Sequence, residues 1–180
     1  MLFFTNQGRV YAERVYEIPE ASRQSQGKAI VNLLELREAE AVAAMLRVRT
    51  FDNDSNIFFA TARGTVKKTA LADFASIRKG GIIAINLEDD DRLIQVRLTS
   101  GSNEVMLATR TGMAIRFPES QVRRTGRDTT GVRGIALGPD DAVESMDLVA
   151  EDASYLTATR NGYGKRTDFD EYRIQNRGGK

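Results

Sequence analysis

The 180-residue chain contains no cysteine, no histidine and no tryptophan. Without Cys or His it cannot form disulfides, thiolate nucleophiles, imidazole acid–base pairs or the zinc sites built from sulfur and imidazole. No stretch approaches the roughly 20 apolar residues that cross a bilayer, and none has the basic-then-apolar pattern of a signal peptide, so a soluble cytoplasmic protein is expected. Neither sign of charge dominates: Lys and Arg total 26, Asp and Glu 25, for a net charge of +1. Any affinity for a polyanion must therefore come from where the charges sit, not from their sum. The length suits one ordinary domain, or several small units sharing a core.

What the sequence does have is a repeat. An apolar run ending in Thr, two further residues and Gly occurs at Phe3-Phe4-Thr5-Asn6-Gln7-Gly8, Phe59-Ala60-Thr61-Ala62-Arg63-Gly64, Leu107-Ala108-Thr109-Arg110-Thr111-Gly112 and Thr157-Ala158-Thr159-Arg160-Asn161-Gly162. A second element, Gly-x3-[Val/Ile]-x-Leu, follows the first three copies: Gly27 to Val31 and Leu33, Gly81 to Ile85 and Leu87, Gly131 to Ile135 and Leu137. A fourth copy opens at Gly178-Gly179, where the sequence has one residue left, so an internal fragment of a longer array is expected. After the second element comes an acidic turn and another apolar stretch: Glu38 to Glu40 then Ala41-Val42, Asp89 to Asp91 then Leu93-Ile94, and Asp140-Asp141 then Ala142-Val143.

Short strands separated by Gly and Asp turns, four per period of about 50 residues, predict an all-β, propeller-like chain. The units are expected at 1–55, 56–103, 104–153 and, truncated, 154–180. Glu35 to Arg47 is rich in Ala, Glu and Leu and favours helix by local propensity. Its register with Asp91 to Leu98 and Asp141 to Leu148 instead predicts a strand over Ala41 to Val48, with a helical insertion as the alternative. The turn glycines Gly8, Gly64, Gly112 and Gly162 read as hairpin positions needing positive φ. Phe3, Phe4, Phe58 and Phe59 read as core.

Phosphate loops are excluded. Gly126-x4-Gly131 is followed by Val132 instead of Lys-Ser/Thr and opens no helix, and Gly162-Tyr163-Gly164-Lys165 has the wrong spacing. The cations instead fall in repeated places. One set follows the turn glycines: Lys67-Lys68, Arg116 and Lys165-Arg166, with Arg14 a looser match. Another lies on the approach to the next Gly: Arg23 and Lys28, Arg78 and Lys79, Arg123, Arg124 and Arg127, Arg173 and Arg177. Acids segregate elsewhere, with Asp140, Asp141, Glu144, Asp147, Glu151 and Asp152 uninterrupted by any Lys or Arg. Equivalent positions in successive blades occupy equivalent places on the perimeter, so one positive edge and one negative edge are expected. A positive edge with few aromatics to stack on bases fits the phosphates of a duplex, bound without base reading. A surface charged only for solubility is the plainer alternative.

Across essentially the whole chain, several long strings resemble the C-terminal DNA-wrapping domain of the DNA gyrase A subunit. They are Arg9-Val10-Tyr11, Ala29 to Leu34, Ala60 to Thr69, Thr129 to Ile135 and Leu156 to Thr167. The resemblance implies a β-pinwheel, a propeller-like disc whose neighbouring blades exchange a strand, with about six blades when complete and duplex DNA bent around a basic rim. On this chain the implied DNA-binding residues are Arg63, Lys67, Lys68, Arg78, Lys79, Arg110, Arg116, Arg123, Arg124, Arg127, Lys165, Arg166, Arg177 and Lys180. The family's signature box, Gln-Arg-Arg-Gly-Gly-Lys/Arg-Gly, is matched only partly by Gln175 to Lys180. The resemblance also implies that the catalytic Arg–Tyr pair, ATP and magnesium lie outside this chain, which carries no Arg-Tyr dipeptide. The partners it implies are duplex DNA, the B subunit of gyrase and a second A subunit. The C-terminal domain of the A subunit of topoisomerase IV and a propeller-type protein-interaction scaffold stay open as alternatives, and a scaffold would depend far less on salt.

Overall fold

Each Thr-x2-Gly string closes a hairpin in the same way. In the computed structural model, which describes residues 1–179, the amides of Gly8, Gly64, Gly112 and Gly162 each donate to the Thr carbonyl three residues back at 3.0 Å. The Thr hydroxyl then accepts from the amide that follows the glycine, at 3.3 Å in the first copy and 3.2 Å in the other three. All four glycines have φ between 76° and 90°, a region that a side chain enters only with strain.

The hairpins pair β1 (Leu2–Thr5) with β2 (Arg9–Ala12), β4 (Asn56–Thr61) with β5 (Thr65–Ala70), β8 (Glu104–Thr109) with β9 (Ala114–Pro118), and β12 (Ser154–Ala158) with β13 (Gly164–Asp168). A further strand flanks each of the first three: β3 (Val42–Leu46), β7 (Leu93–Thr99) and β11 (Val143–Leu148). Thus Val42–Leu46 of the Ala- and Glu-rich stretch is a strand, within the expected Ala41 to Val48, because β3 pairs along the whole of β1. Only single-turn 3-10 helices interrupt the strands, and no α-helix occurs among the described residues. Nor is any helix there long and apolar enough to cross a membrane.

Two very short strands complete the architecture. β6 (Ile82–Ile83) lies in the second sequence repeat but pairs with β2 of the first, giving a sheet ordered β3-β1-β2-β6. Likewise β10 (Val132–Arg133), from the third repeat, pairs with β5 to give β10-β5-β4-β7. Each of the first two sheets is thus finished by its neighbour, and the fold is a β-pinwheel of open sheets. The strands β3, β7 and β11 stand side by side, which puts β6 and β10 at the opposite, outer ends of their sheets.

The sheets stack face to face, and this explains why the central strands are apolar at nearly every position. In β4, Ile57 and Phe59 enter one core with Leu2, Phe4, Val10 and Phe74, while Phe58 and Ala60 enter a second with Val105, Leu107, Ile115 and Phe117. Phe3 packs on the outer face of the first sheet with Tyr11 and Leu34. The four phenylalanines read as core are all buried.

The two repeated motifs turn out to be halves of one joint. Gly8 accepts at its carbonyl from the amides of Ala84 and Ile85, and Gly64 from those of Gly134 and Ile135. Opposite them, Gly81 lies flat on Tyr11 and Gly131 on Lys67 and the Val66 carbonyl, where an added Cβ would stand 2.7 Å and 2.5 Å from its nearest neighbour. Backbone this close admits only glycine.

Candidate nucleic-acid interface

The cations that the repeat brings into rows do not share one environment. Lys67 and Lys68, expected on an exposed rim, are only 1% and 7% exposed, and that placement is corrected. β5 is covered on both faces, so neither direction of its side-chain alternation leads to water. Lys67 lies toward the first sheet and donates to the carbonyl of Ala84 at 2.8 Å and to that of Arg127. Its ammonium also sits 5.7 Å from the Phe59 ring centroid. Burial lowers its pKa to about 8, with Arg127 adding to the effect and Asp128 and Asp73 opposing it.

Lys68 lies on the opposite face and donates to the Glu119 carbonyl at 3.0 Å, with the Glu119 carboxylate 3.6 Å away. Glu119 is fully buried and also accepts from Thr99 and from the amides of Gly101 and Asn103 at 2.8–2.9 Å. Arg116 is drawn inward as well. Its side chain, 11% exposed, pairs with Glu104 at 2.6 Å and donates to the carbonyls of Phe169 and Tyr172. It too departs from the expected open rim, because its carbonyl acceptors come from the next repeat and cover it.

At the hairpin tips, Arg63 donates to the Asp89 carbonyl and Arg110 pairs with Glu144 at 2.8 Å. These tips adjoin the acidic turns. Desolvation pushes the Asp141 carboxyl up, but the bonds it accepts from the amide and hydroxyl of Thr111 and the amide of Ala142 together hold it down to about 2. Arg63 and Arg110 therefore share their surface with carboxylates. Within the acidic run, Asp147 reaches Arg97 at 2.7 Å.

The outer ends of the sheets differ. The connectors into β6 and β10, β10 itself and the corresponding stretch after β13 run along the outer edge: residues 78–81, 123–133 and 173–179. They hold eight cations, Arg78, Lys79, Arg123, Arg124, Arg127, Arg133, Arg173 and Arg177, against one acid, Asp128. Arg78, Lys79, Arg123, Arg133 and Arg173 are exposed, as are Lys165 and Arg166 on β13. Lys79 makes an exposed ion pair with Glu35 at 3.5 Å, a contact of little weight in water. Arg124 reaches Asn56 and the Asp54 carbonyl, Arg127 the Ile83 carbonyl, and Arg177 the carbonyls of Gln121 and Arg133. These three carry charge at the edge while anchoring it. Lys180 lies outside the described residues. Arg133 was missed as a candidate, although Val-Arg alternation on a strand whose Val packs inward would have turned it outward.

Comparison with known proteins bears on the same residues. The family model for the DNA gyrase C-terminal domain, a β-propeller, matches residues 1–49, 55–100, 103–150 and 154–180. The A subunit of DNA gyrase from Salmonella typhimurium is 52% identical over 177 residues, which are 98% of this chain and 20% of that protein. Its Staphylococcus aureus counterpart is 47% identical over 183 residues, spanning 100% of this chain and 21% of that one. The chain thus spans about a fifth of the length of the curated relatives it matches. Among solved structures, the C-terminal domain of DNA topoisomerase IV superposes with a TM-score of 0.91 at 31% identity, covering 99% of this chain and 56% of that one. The DNA gyrase A C-terminal domain gives 0.83 at 28% identity, covering 99% and 57%.

Proposed function

The chain belongs to the DNA gyrase C-terminal domain family, and from that premise we propose that it binds duplex DNA along its outer edge and bends it, as a non-catalytic module of the gyrase A subunit. The observation that carries this reading is the excess of cations over acids on the outer connectors, eight against one, in a chain whose net charge is only +1. Each phosphate contact would displace condensed counterions, so binding would weaken steeply with salt and differ little between sequences. Strand cleavage, ATP and magnesium belong to other parts of a heterotetramer of two A and two B subunits. In that assembly the bend would present a chosen crossing to the cleavage gate and give strand passage its direction.

The test is a salt titration of duplex binding, together with energy transfer between the two ends of the duplex. Replacing Arg78, Lys79 and Arg123 by Gln should lower the slope of log K against log salt by about one per lost phosphate contact. A slope near zero in the wild type would favour a protein-interaction scaffold. A second reading, topoisomerase IV, has the structural superposition in its favour. Ligating nicked circles in the presence of the chain separates the two: a gyrase-type positive wrap shifts linking number, and simple substrate steering does not.

A further inference from the structure

Lys68 and Arg116 occupy the same place in their repeats, four residues after the turn glycine, and they do the same thing. Lys68 donates to the carbonyl of Glu119, the first residue of the 3-10 turn Glu119–Gln121 in the following repeat. Arg116 donates to the carbonyl of Phe169, the first residue of the 3-10 turn Phe169–Glu171 in the repeat after that. Main-chain contacts accompany both: the Thr125 amide donates to the Lys68 carbonyl at 2.9 Å, and the Gln175 amide to the Arg116 carbonyl at 2.8 Å. A parallel bridge lies beside each, Lys68 with Arg124 and Arg116 with Ile174. In the first repeat this position is Ala12, and no such ion-to-carbonyl contact is made there.

We propose that Lys68 and Arg116 are positioning residues that latch the second sheet to the third and the third to the fourth at a fixed angle. The acceptor carbonyl sits at the start of a one-turn helix, so a charged donor with a long stem fixes where that turn rests against the preceding sheet. The following residues, 123–131 and 173–178, are the basic outer connectors. Moving the turn moves the cations. If the outer edge bends DNA as proposed above, the latches set the angle between successive phosphate contacts without touching DNA themselves.

Arg116 is the member to test, because Lys68 also neutralises a fully buried carboxylate. Three full-chain variants are needed: Arg116→Gln, Arg116→Lys, and Arg123→Gln as an edge control. The first measurement needs no DNA. Amide hydrogen exchange over residues 169–175 should speed by about tenfold in Arg116→Gln, the scale of one lost charge-assisted hydrogen bond, and largely recover in Arg116→Lys. Exchange in β1, β4 and β5 should not change.

The second measurement reads end-to-end energy transfer on a duplex of about six helical turns at saturating protein, with the salt slope measured in parallel. Arg116→Gln should reduce the bend and leave the slope unaltered. Arg123→Gln should lower the slope by about one and leave the saturated bend unaltered. Unchanged exchange in Arg116→Gln would overturn the latch. So would a slope loss of about one in that variant, which would make Arg116 a phosphate contact. A wild type that fails to bend DNA would remove the proposed function and leave the exchange result to decide the latch alone.

Discussion

The junction between the second and third sheets and the junction between the third and fourth are built on the same register with different materials. At the former, Phe58, Ala60 and Val66 mesh with Val105, Leu107 and Ile115 in an apolar core, and Gly64 closes on Ile135 and Leu137. At the latter, Tyr155 stands on the face turned to the third sheet, packed beside Phe169 and Tyr172. The contacts that remain are largely polar: Arg116 to Phe169 and Tyr172, Ser145 to the Tyr155 hydroxyl at 2.6 Å, and Gln121 to the Arg177 amide at 2.7 Å. An open cleft of about 1030 Å³ lies between them, lined by Glu104, Arg116, Arg166, Asp168, Phe169 and Asp170. The backbone pattern specifies how sheets meet, and side-chain apolarity decides how firmly.

The largest expected effect contrasts a side chain inside an apolar junction with one on the open face of the fourth sheet. Phe59 is fully buried between the first two sheets and edge-packed on Phe4 at 5.7 Å. Phe59→Ala should cost about 4 kcal/mol from lost transfer energy and the cavity left behind. Leu156→Ala should cost less than about 0.5 kcal/mol, because that side chain is already in water. Thermal unfolding of the two variants measures this directly, and equal losses would mean that Leu156 is packed as firmly as Phe59.

Next in size is Lys68→Ala, at about 3 kcal/mol, since it strands the Glu119 carboxylate in the interior without its cation. Adding Glu119→Gln should recover part of that loss in the double variant, because the surviving acceptor is then uncharged. Chemical denaturation of the single and double variants supplies the cycle, and additive losses would show that the two side chains do not interact.

The third effect tests one position in two settings. Gly64 and Gly162 have nearly equal φ, 82° and 84°, so alanine costs about 1 kcal/mol of backbone strain at either. At Gly64 the added Cβ would also lie 3.0 Å from Ile135, whereas at Gly162 nothing stands within 4 Å. Gly64→Ala should therefore destabilise by about 2–3 kcal/mol and Gly162→Ala by about 1. Melting temperatures that fall equally would show that the turn conformation alone sets the cost.

Much of the fold was legible because it repeats. Thr-x2-Gly fixed the hairpins, and register across copies located β3 where local propensity pointed to helix. The pairing of Gly81 with Tyr11 and of Gly131 with Lys67 was not legible, because they join positions 70 and 64 residues apart. The cation rows were visible in the sequence, but their exposure was misjudged at Lys67, Lys68 and Arg116. A strand such as Val66-Lys67-Lys68-Thr69 looks half solvated when read alone. Only the sheets stacked on both of its faces show that each Lys must find protein acceptors. The compensating acid, Glu119, lies 51 residues downstream of Lys68, with no local pattern to link them. Arg78, Lys79 and Arg123 stayed exposed because connectors at the outer end of a sheet have no neighbouring sheet to cover them.

A last effect is a pH drift that reports on Lys67, a charge held in the better-packed half of the molecule. Burial lowers its pKa from 10.5 to about 8 in the folded chain. Between about pH 8 and 10.5 the unfolded chain therefore binds the proton that the folded chain has released, and linkage makes stability rise with pH across that window. Below about pH 8 both states carry the proton, and the cost of the buried charge is present in full. The neutral amine keeps two N–H donors, enough for the Ala84 and Arg127 carbonyls, so deprotonation does not break the joint. Lys67→Met removes the titration while keeping the stem that packs on Phe59. The melting temperature of the wild type minus that of Lys67→Met should be flat from pH 6 to about 8 and then climb toward pH 10, with tyrosine and surface lysine ionisation cancelling in the difference. A difference that stays flat through pH 10 would mean that Lys67 keeps its proton in the folded chain and that its two carbonyls hold it as a cation.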